Sequence, residues 1–384
     1  MQIIPKASSQ EVFDWLRLIR TQNVGPRSFQ SLMEIYGTAA RALESIPYLS
    51  RKGGEQIKPF SESAAHKELE ELSKRGAQVV LASEEAYPRL LREIKDFPPL
   101  LTVHGQRDCL DIKSVAIVGS RNSSANGCKI AYDMAKELGK NKYLVTSGLA
   151  RGIDTAAHNG ALTSGTVAVV AGGIDVIYPP ENKDLFYKIA EKGAVITEMA
   201  FGSVPKPQHF PRRNRIISGM SIATVVVEAA LRSGSLITAR FALEQDREVF
   251  GVPGSPLDPR CKGPNSLIKE GAYMAESGED VVNVLGNLHY MRPTGLFDKV
   301  SNDVYAAPSN IISEDDIDKA RLIIHEKLGP TPTNVDDIIT QTGIPANMVM
   351  VVLLELELAG KLERHSGNRV SVYNFSNDLF ERAL

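Results

Sequence analysis

Between Ser114 and Gly254 the chain repeats one pattern six times: a short β-branched run, a Gly-rich or charged turn, and then, in most cases, a helix-spaced segment. The runs are residues 115–118, 143–146, 167–170, 194–197, 223–227 and 248–251. Strands that are apolar throughout and separated by helical segments must be covered on both faces. That requires a parallel sheet with helices on each side, a doubly wound α/β domain. Helical spacing is plain at 129–138, 154–162 and 236–245.

In such a sheet ligands bind beyond the carboxyl ends of the strands, and every unusual turn of this chain follows a strand. Those turns are Gly119-Ser120-Arg121, Ser147-Gly148-Leu149-Ala150-Arg151-Gly152-Ile153-Asp154, Gly172-Gly173-Ile174-Asp175, Tyr178-Pro179-Pro180-Glu181-Asn182-Lys183, Phe210-Pro211-Arg212-Arg213-Asn214-Arg215, Ser233-Gly234-Ser235 and Val252-Pro253-Gly254-Ser255. Glycines at such positions leave N–H groups open at helix N-termini, so the expected ligand is a phosphate. An ordinary dinucleotide site is excluded, because the first turn reads Gly-Ser-Arg instead of Gly-x-Gly-x-x-Gly. No Walker A sequence follows a strand either. Arg121 stands where a nucleotide cofactor would be admitted and offers a cation to a backbone phosphate.

The 210–215 segment, read as a loop, supplies three arginines, an amide and a phenyl ring. Guanidinium forks pair with phosphate oxygens, and a ring face stacks on any base, so these residues suit an unpaired nucleic-acid strand. They would also suit a surface loop whose arginines bridge carboxylates and whose Phe fills a core gap.

The 384 residues carry a formal net charge of −2, so attraction to nucleic acid has to come from local clustering, as at Lys183, Lys206, Arg212, Arg213 and Arg215. Three widely spaced cysteines form neither a disulfide framework nor a zinc spacing, which suits a reducing cytoplasm. No run approaches the roughly 18 apolar residues of a membrane span, so no membrane partner is expected; with neither a dinucleotide nor a Walker A motif, no cofactor is expected.

Two smaller modules flank the sheet. Residues 12–19, the turn Asn23-Val24-Gly25-Pro26-Arg27 and residues 28–36 read as helix, turn and helix, in a module spanning 8–60. The sheet domain is expected over 63–286, opening with a helix at 63–75, and residues 287–312 read as a linker. Residues 313–384 read as a winged helix, with helices at 315–327, 334–341 and 345–359 and a hairpin about Gly367. Its third helix has no Lys or Arg between Ala346 and Glu355, so protein interaction fits it better than duplex recognition.

Tyr87-Pro88, Ile117-Val118-Gly119-Ser120-Arg121, Gly152-Ile153-Asp154, Ala157-His158, Asn182, Arg213-Asn214-Arg215, Glu228-Ala229 and Ser233-Gly234-Ser235-Leu236-Ile237-Thr238-Ala239 stand in an order that resembles the DNA-processing protein A family (DprA, also called Smf) over almost the whole chain. The segment 197–202 departs slightly from the Ser-Glu-x-Pro-x-Gly expected there. The resemblance implies an extended Rossmann-like core after a SAM-like helical module. It also implies binding of single-stranded DNA without sequence preference, protection of incoming strands in natural transformation, delivery to the RecA recombinase, and a homodimer. It assigns DNA contact to Arg121, Lys183, Lys206, Phe210 and Arg213, beside the rim residues Gly119, Ser120, Gly148, Arg212, Asn214, Arg215, Ser233, Gly234 and Ser235.

No catalytic role is expected. The alternative is a phosphoribohydrolase-like enzyme acting on nucleoside monophosphates, with Glu198, Glu228, Asp154 and His158 as the available acids and bases.

Overall fold

The structure, a computed structural model, describes residues 7–291, 314–365 and 367–372. The chain opens with helices α1 (Ser9–Arg20), α2 (Pro26–Tyr36) and α3 (Ala39–Lys52), followed by α4 (Glu62–Lys74). Strand β1 (Ala77–Leu81), the one-turn α5 (Arg89–Arg92) and β2 (Leu100–Gly105) precede the repeating core. That core runs β3 (Ser114–Val118), α6 (Ala125–Lys140), β4 (Leu144–Ser147), α7 (Ile153–Ala161), β5 (Thr166–Val169), α8 (Lys183–Lys192), β6 (Ala194–Thr197), α9 (His209–Gly219), β7 (Ser221–Val226), α10 (Gly234–Glu244) and β8 (Glu248–Gly251). Then come α11 (Lys262–Lys269), β9 (Tyr273–Met274) and α12 (Gly278–Met291). The C-terminal part holds α13 (Glu314–Lys327), β10 (Thr333–Asn334), α14 (Val335–Thr342), α15 (Ala346–Leu358), β11 (Leu362–His365) and β12 (Arg369–Val372).

Among the described residues the large sheet has nine strands in the order β1-β2-β6-β5-β4-β3-β7-β8-β9. Strands β3 to β9 pair in parallel, as their continuous apolar runs require, while β1 and β2 add an antiparallel edge beside β6. One face is sealed by α6, α7 and α12, whose Ala131, Met134, Leu138, Ala157, Val281 and Leu285 meet Val115, Ile117, Val145, Val225 and Phe250. The other face carries α8, with Leu185, Phe186 and Ile189 against Ala168 and Val195. The sheet is thus doubly wound, with its order reversing between β3 and β7.

Compact packing divides the chain in two. One unit runs from His66 through the large sheet; the other joins Ser9–Ala65 to the C-terminal helices and hairpin. The N-terminal helices and the winged helix, expected as separate modules, therefore share a unit. Of the expected linker, residues 287–291 complete α12, and 292–312 lie outside the described residues.

Two segments differ from expectation. Residues 39–52 form α3 where no helix was expected, and the supposed loop at 210–215 is the start of α9. Pro211 lies in the first turn of α9, where a proline removes no intrahelical hydrogen bond, so the helix tolerates it.

Candidate nucleic-acid interface

Parallel strands β3, β4 and β5 deliver their carboxyl ends to one rim, and a shallow open cleft lies there. Arg121 and Arg151 line it, with Gly148, Gly172, Tyr178, Pro179, Pro205, Phe210 and Arg213. Three side chains form a ladder at its mouth. The exposed Arg121 guanidinium lies 4.8 Å from the centre of the Phe210 ring, and Tyr178 meets that ring edge-on at 5.9 Å. Cation–π attraction holds Arg121 over a ring face that stays partly open.

Behind the ladder the cations are no longer surface groups. Arg213, 6% exposed, donates from Nη1 to the Val169 carbonyl at 3.1 Å. Burial pulls its pKa down to about 10, countered by the nearby Asp154 carboxylate, so it stays cationic at neutral pH. A Cβ on Gly148 would lie 1.4 Å from Nη1 of Arg213. Gly148 is therefore glycine because the arginine packs over it. Gly119 is likewise closed by Ile153, at 2.5 Å from a Cβ there, whereas Gly234 has open space.

Arg215 is also buried. Its Nη2 donates to Glu198 at 2.5 Å, and its Nε lies 3.4 Å from Asp96. Arg212, half-exposed, shares the same Glu198 at 3.0 Å. Asn214 donates to the Gly234 carbonyl at 3.2 Å, tying α9 to the turn after β7, and Ser235 Oγ ties that turn to the Gly119 carbonyl at 2.8 Å. Ser233 caps α10 through its hydroxyl, and Ser120 Oγ accepts from Asn122 N–H. Of the sequence-derived residues, Arg121 and Phe210 meet in the cleft itself. Lys206 is exposed next to the lining Pro205, whereas Lys183 is exposed at the start of α8, outside the lining residues. Arg213 lines the cleft although largely buried, while Asn214 and Arg215 are buried outside the lining.

The polar groups weighed as acids or bases hold the rim together. Asp154 accepts from the N–H groups of Gly148 and Ala150 at 3.2 and 3.3 Å, and its pKa is raised because burial outweighs the pull of Arg213. His158 lies 2.8 Å from Thr166 Oγ1, whose own proton goes to the Val145 carbonyl. The ring must then carry its proton on Nδ1.

At the point where the strand order reverses, the usual ligand crevice of such sheets, Glu228 accepts from Ser124 N–H at 2.8 Å and from its hydroxyl at 2.5 Å. A carboxylate of the chain itself thus occupies the N-terminus of α6, the place a nucleotide phosphate would take. The open cleft is displaced toward β4 and β5.

Sequence reasoning placed the turns that hold Arg151 and Tyr178 on the rim but gave neither residue a contact of its own, and it did not single out Pro205. Leu149, in the same turn as Arg151, is buried with φ +56°, a left-handed backbone that a bulky side chain seldom adopts and that the sequence did not announce. Asn182 holds it there, donating to the Leu149 carbonyl at 2.9 Å.

Comparison with known proteins gives consistent matches. The family model described as DNA recombination-mediator protein A matches residues 78–286, a DprA-like N-terminal HHH domain matches 9–70, and a DprA winged helix domain matches 307–368. The chain is 38% identical to the protein Smf of Escherichia coli (strain K12) over 299 residues, 76% of each chain. The structure of DNA processing protein A from Streptococcus pneumoniae superposes with a TM-score of 0.60 at 35% identity, covering 73% of this chain and 98% of that one. DNA processing protein A from Helicobacter pylori, whose structure describes its single-stranded DNA binding mode, gives 0.51 at 28% identity, covering 55% of this chain and 96% of that one.

Proposed function

We propose, for a chain that belongs to the family of DNA recombination-mediator protein A, that it binds single-stranded DNA without sequence preference in the cleft at the carboxyl ends of β3, β4 and β5. The observation that carries this reading is the ladder of Arg121, Phe210 and Tyr178. An unpaired base stacks on the Phe210 face that Arg121 covers in the free protein, and the displaced guanidinium turns to the adjoining phosphate. Exposed Arg151, Lys183, Lys206 and Arg212 extend the cationic track along the rim. Phosphate contact and stacking carry little base information, so affinity is insensitive to sequence. The buried Arg213, Asn214 and Arg215 act by fixing α9 and hence Phe210.

The single-strand binding described for the Helicobacter pylori relative supports this substrate. The family's description as a recombination mediator supports delivery of the protected strand to the RecA recombinase during transformation. A homodimer working in the cytoplasm completes the proposal; sedimentation of the purified chain tests the dimer.

Titration of labelled oligonucleotides, single-stranded and duplex, over a range of salt tests the site. Arg121→Ala weakens single-strand binding and lowers the salt slope by about 0.7, the value of one phosphate contact. Phe210→Ala costs about 1–3 kcal/mol with the slope unchanged, because no charge is lost. Wild-type affinity in both variants would place the strand elsewhere.

A further inference from the structure

The third helix of the winged helix carries more apolar surface than its own module uses. Val349, Val352, Leu353 and Leu356 of α15 belong to the core shared with α13, α14 and the hairpin. Leu354 and Leu358 are fully buried yet stand outside that core. At about 100° per residue they lie on the opposite side of the helix. A helix that is apolar all round is a helix covered all round.

The cover on the second side is the N-terminal module, since α15 packs against α2 and α3. Leu358 ends the helix, so its carbonyl has no partner within α15. Asn23, in the turn between α1 and α2, donates to it from Nδ2 at 2.8 Å. At Gly53, just past α3, a Cβ would lie 2.3 Å from the Glu355 carbonyl oxygen and 2.7 Å from the Ala359 Cβ. Gly53 has an ordinary φ of −73°, so the approach of the other module is what demands glycine there. Lys52 lies 3.6 Å from Asp318 on α13. Glu355 can be buried at this contact because Arg321 grips both its oxygens, at 2.6 and 2.8 Å.

We propose that the winged helix is an intramolecular fastener: the far side of α15 is a docking surface for the chain's own N-terminal helices, and the module does not read duplex DNA. The helix that such a fold ordinarily lays in the major groove has no Lys or Arg over Ala346–Leu358, and its second side is already occupied. The inference concerns the second compact unit alone and is independent of the strand-binding cleft.

Hydrogen exchange on the full-length chain, read by mass spectrometry, tests the docking. Asn23 has φ +63°, which glycine adopts freely, so Asn23→Gly relaxes its own turn while deleting the bond to Leu358. Exchange is expected to rise about tenfold or more in α15 and in α2–α3 together, because separation of the two modules becomes the easier opening. Gly53→Leu forces the same separation sterically and should act more strongly. If Gly53→Leu fails to fold, Asn23→Gly still decides. Unchanged or slower exchange of α15 in Asn23→Gly would overturn the docking. For the second half, Asn347→Glu places a negative charge on the exposed first turn of α15. Duplex affinity within twofold of wild type supports the proposal. A tenfold loss of duplex binding at unchanged single-strand affinity would show that α15 touches the duplex.

Discussion

His158 illustrates how far a side chain's neighbours determine its role. Complete burial, assisted by the Arg213 charge, pushes its pKa from the ordinary 6.5 to about 3, so the folded ring stays neutral while the unfolded chain takes up a proton as pH falls below about 6.5. Stability present above that value is therefore lost progressively toward pH 3. Asp154 nearby has a raised pKa and works in the opposite direction, since the fold then binds its proton before the unfolded chain does. The difference between wild type and His158→Gln isolates the histidine. The urea midpoint of wild type should fall more steeply between pH 7 and pH 5 than that of the variant, and parallel curves would contradict the burial. A general base matched to neutral pH would be tuned the other way.

Helix α9 shows what an element can do with three arginines that a residue list cannot. Arg212 and Arg215 stand three apart, on one helical face, and Glu198 receives both. Glu198→Gln leaves the buried Arg215 with Asp96 as its remaining carboxylate, so a loss of about 3–5 kcal/mol is expected in denaturant titration. A loss below 1 kcal/mol would mean that the pair is not buried in solution. The sequence made this segment look like a loop because buried arginines carry no apolar periodicity and Pro211 reads as a breaker. Nor could it sort the cations into working and supporting ones. The partner of Arg212 and Arg215 lies 14 and 17 residues earlier, and Asp96 is more than a hundred residues away. The six core strands were legible for the converse reason, since each centres on a buried apolar or β-branched run. Strands β1 and β2 were not, because they pair antiparallel beside β6, outside the strand–turn–helix repeat that marked the others. Helix α3 was hidden by its internal Pro47. Arg121 and Phe210 were legible as a cation after a strand and a ring beside arginines; their stacking on each other is a tertiary fact that neither position announces.

At the scale of the whole molecule, the contact between α15 and the N-terminal helices closes a loop of 335 residues in sequence. Leu354 and Leu358 contribute roughly 1.5–3 kcal/mol each through burial. Deleting residues 314–384 should leave single-strand affinity within tenfold, about 1.4 kcal/mol, while lowering the midpoint at which α1–α3 unfold in thermal hydrogen exchange. A larger affinity loss in a folded truncation would move part of the strand site out of the sheet. The carboxylate of Glu228 at the head of α6 has a consequence for the cell's chemistry. The seat that sheets of this kind reserve for a mononucleotide is filled from within, so a free nucleoside triphosphate would have to displace Glu228 to enter it. Adding ATP at millimolar concentration, with magnesium and ionic strength held constant, should leave a bound oligonucleotide in place. Occupancy of the cleft would then be set by the strand and by salt, independently of nucleotide concentration.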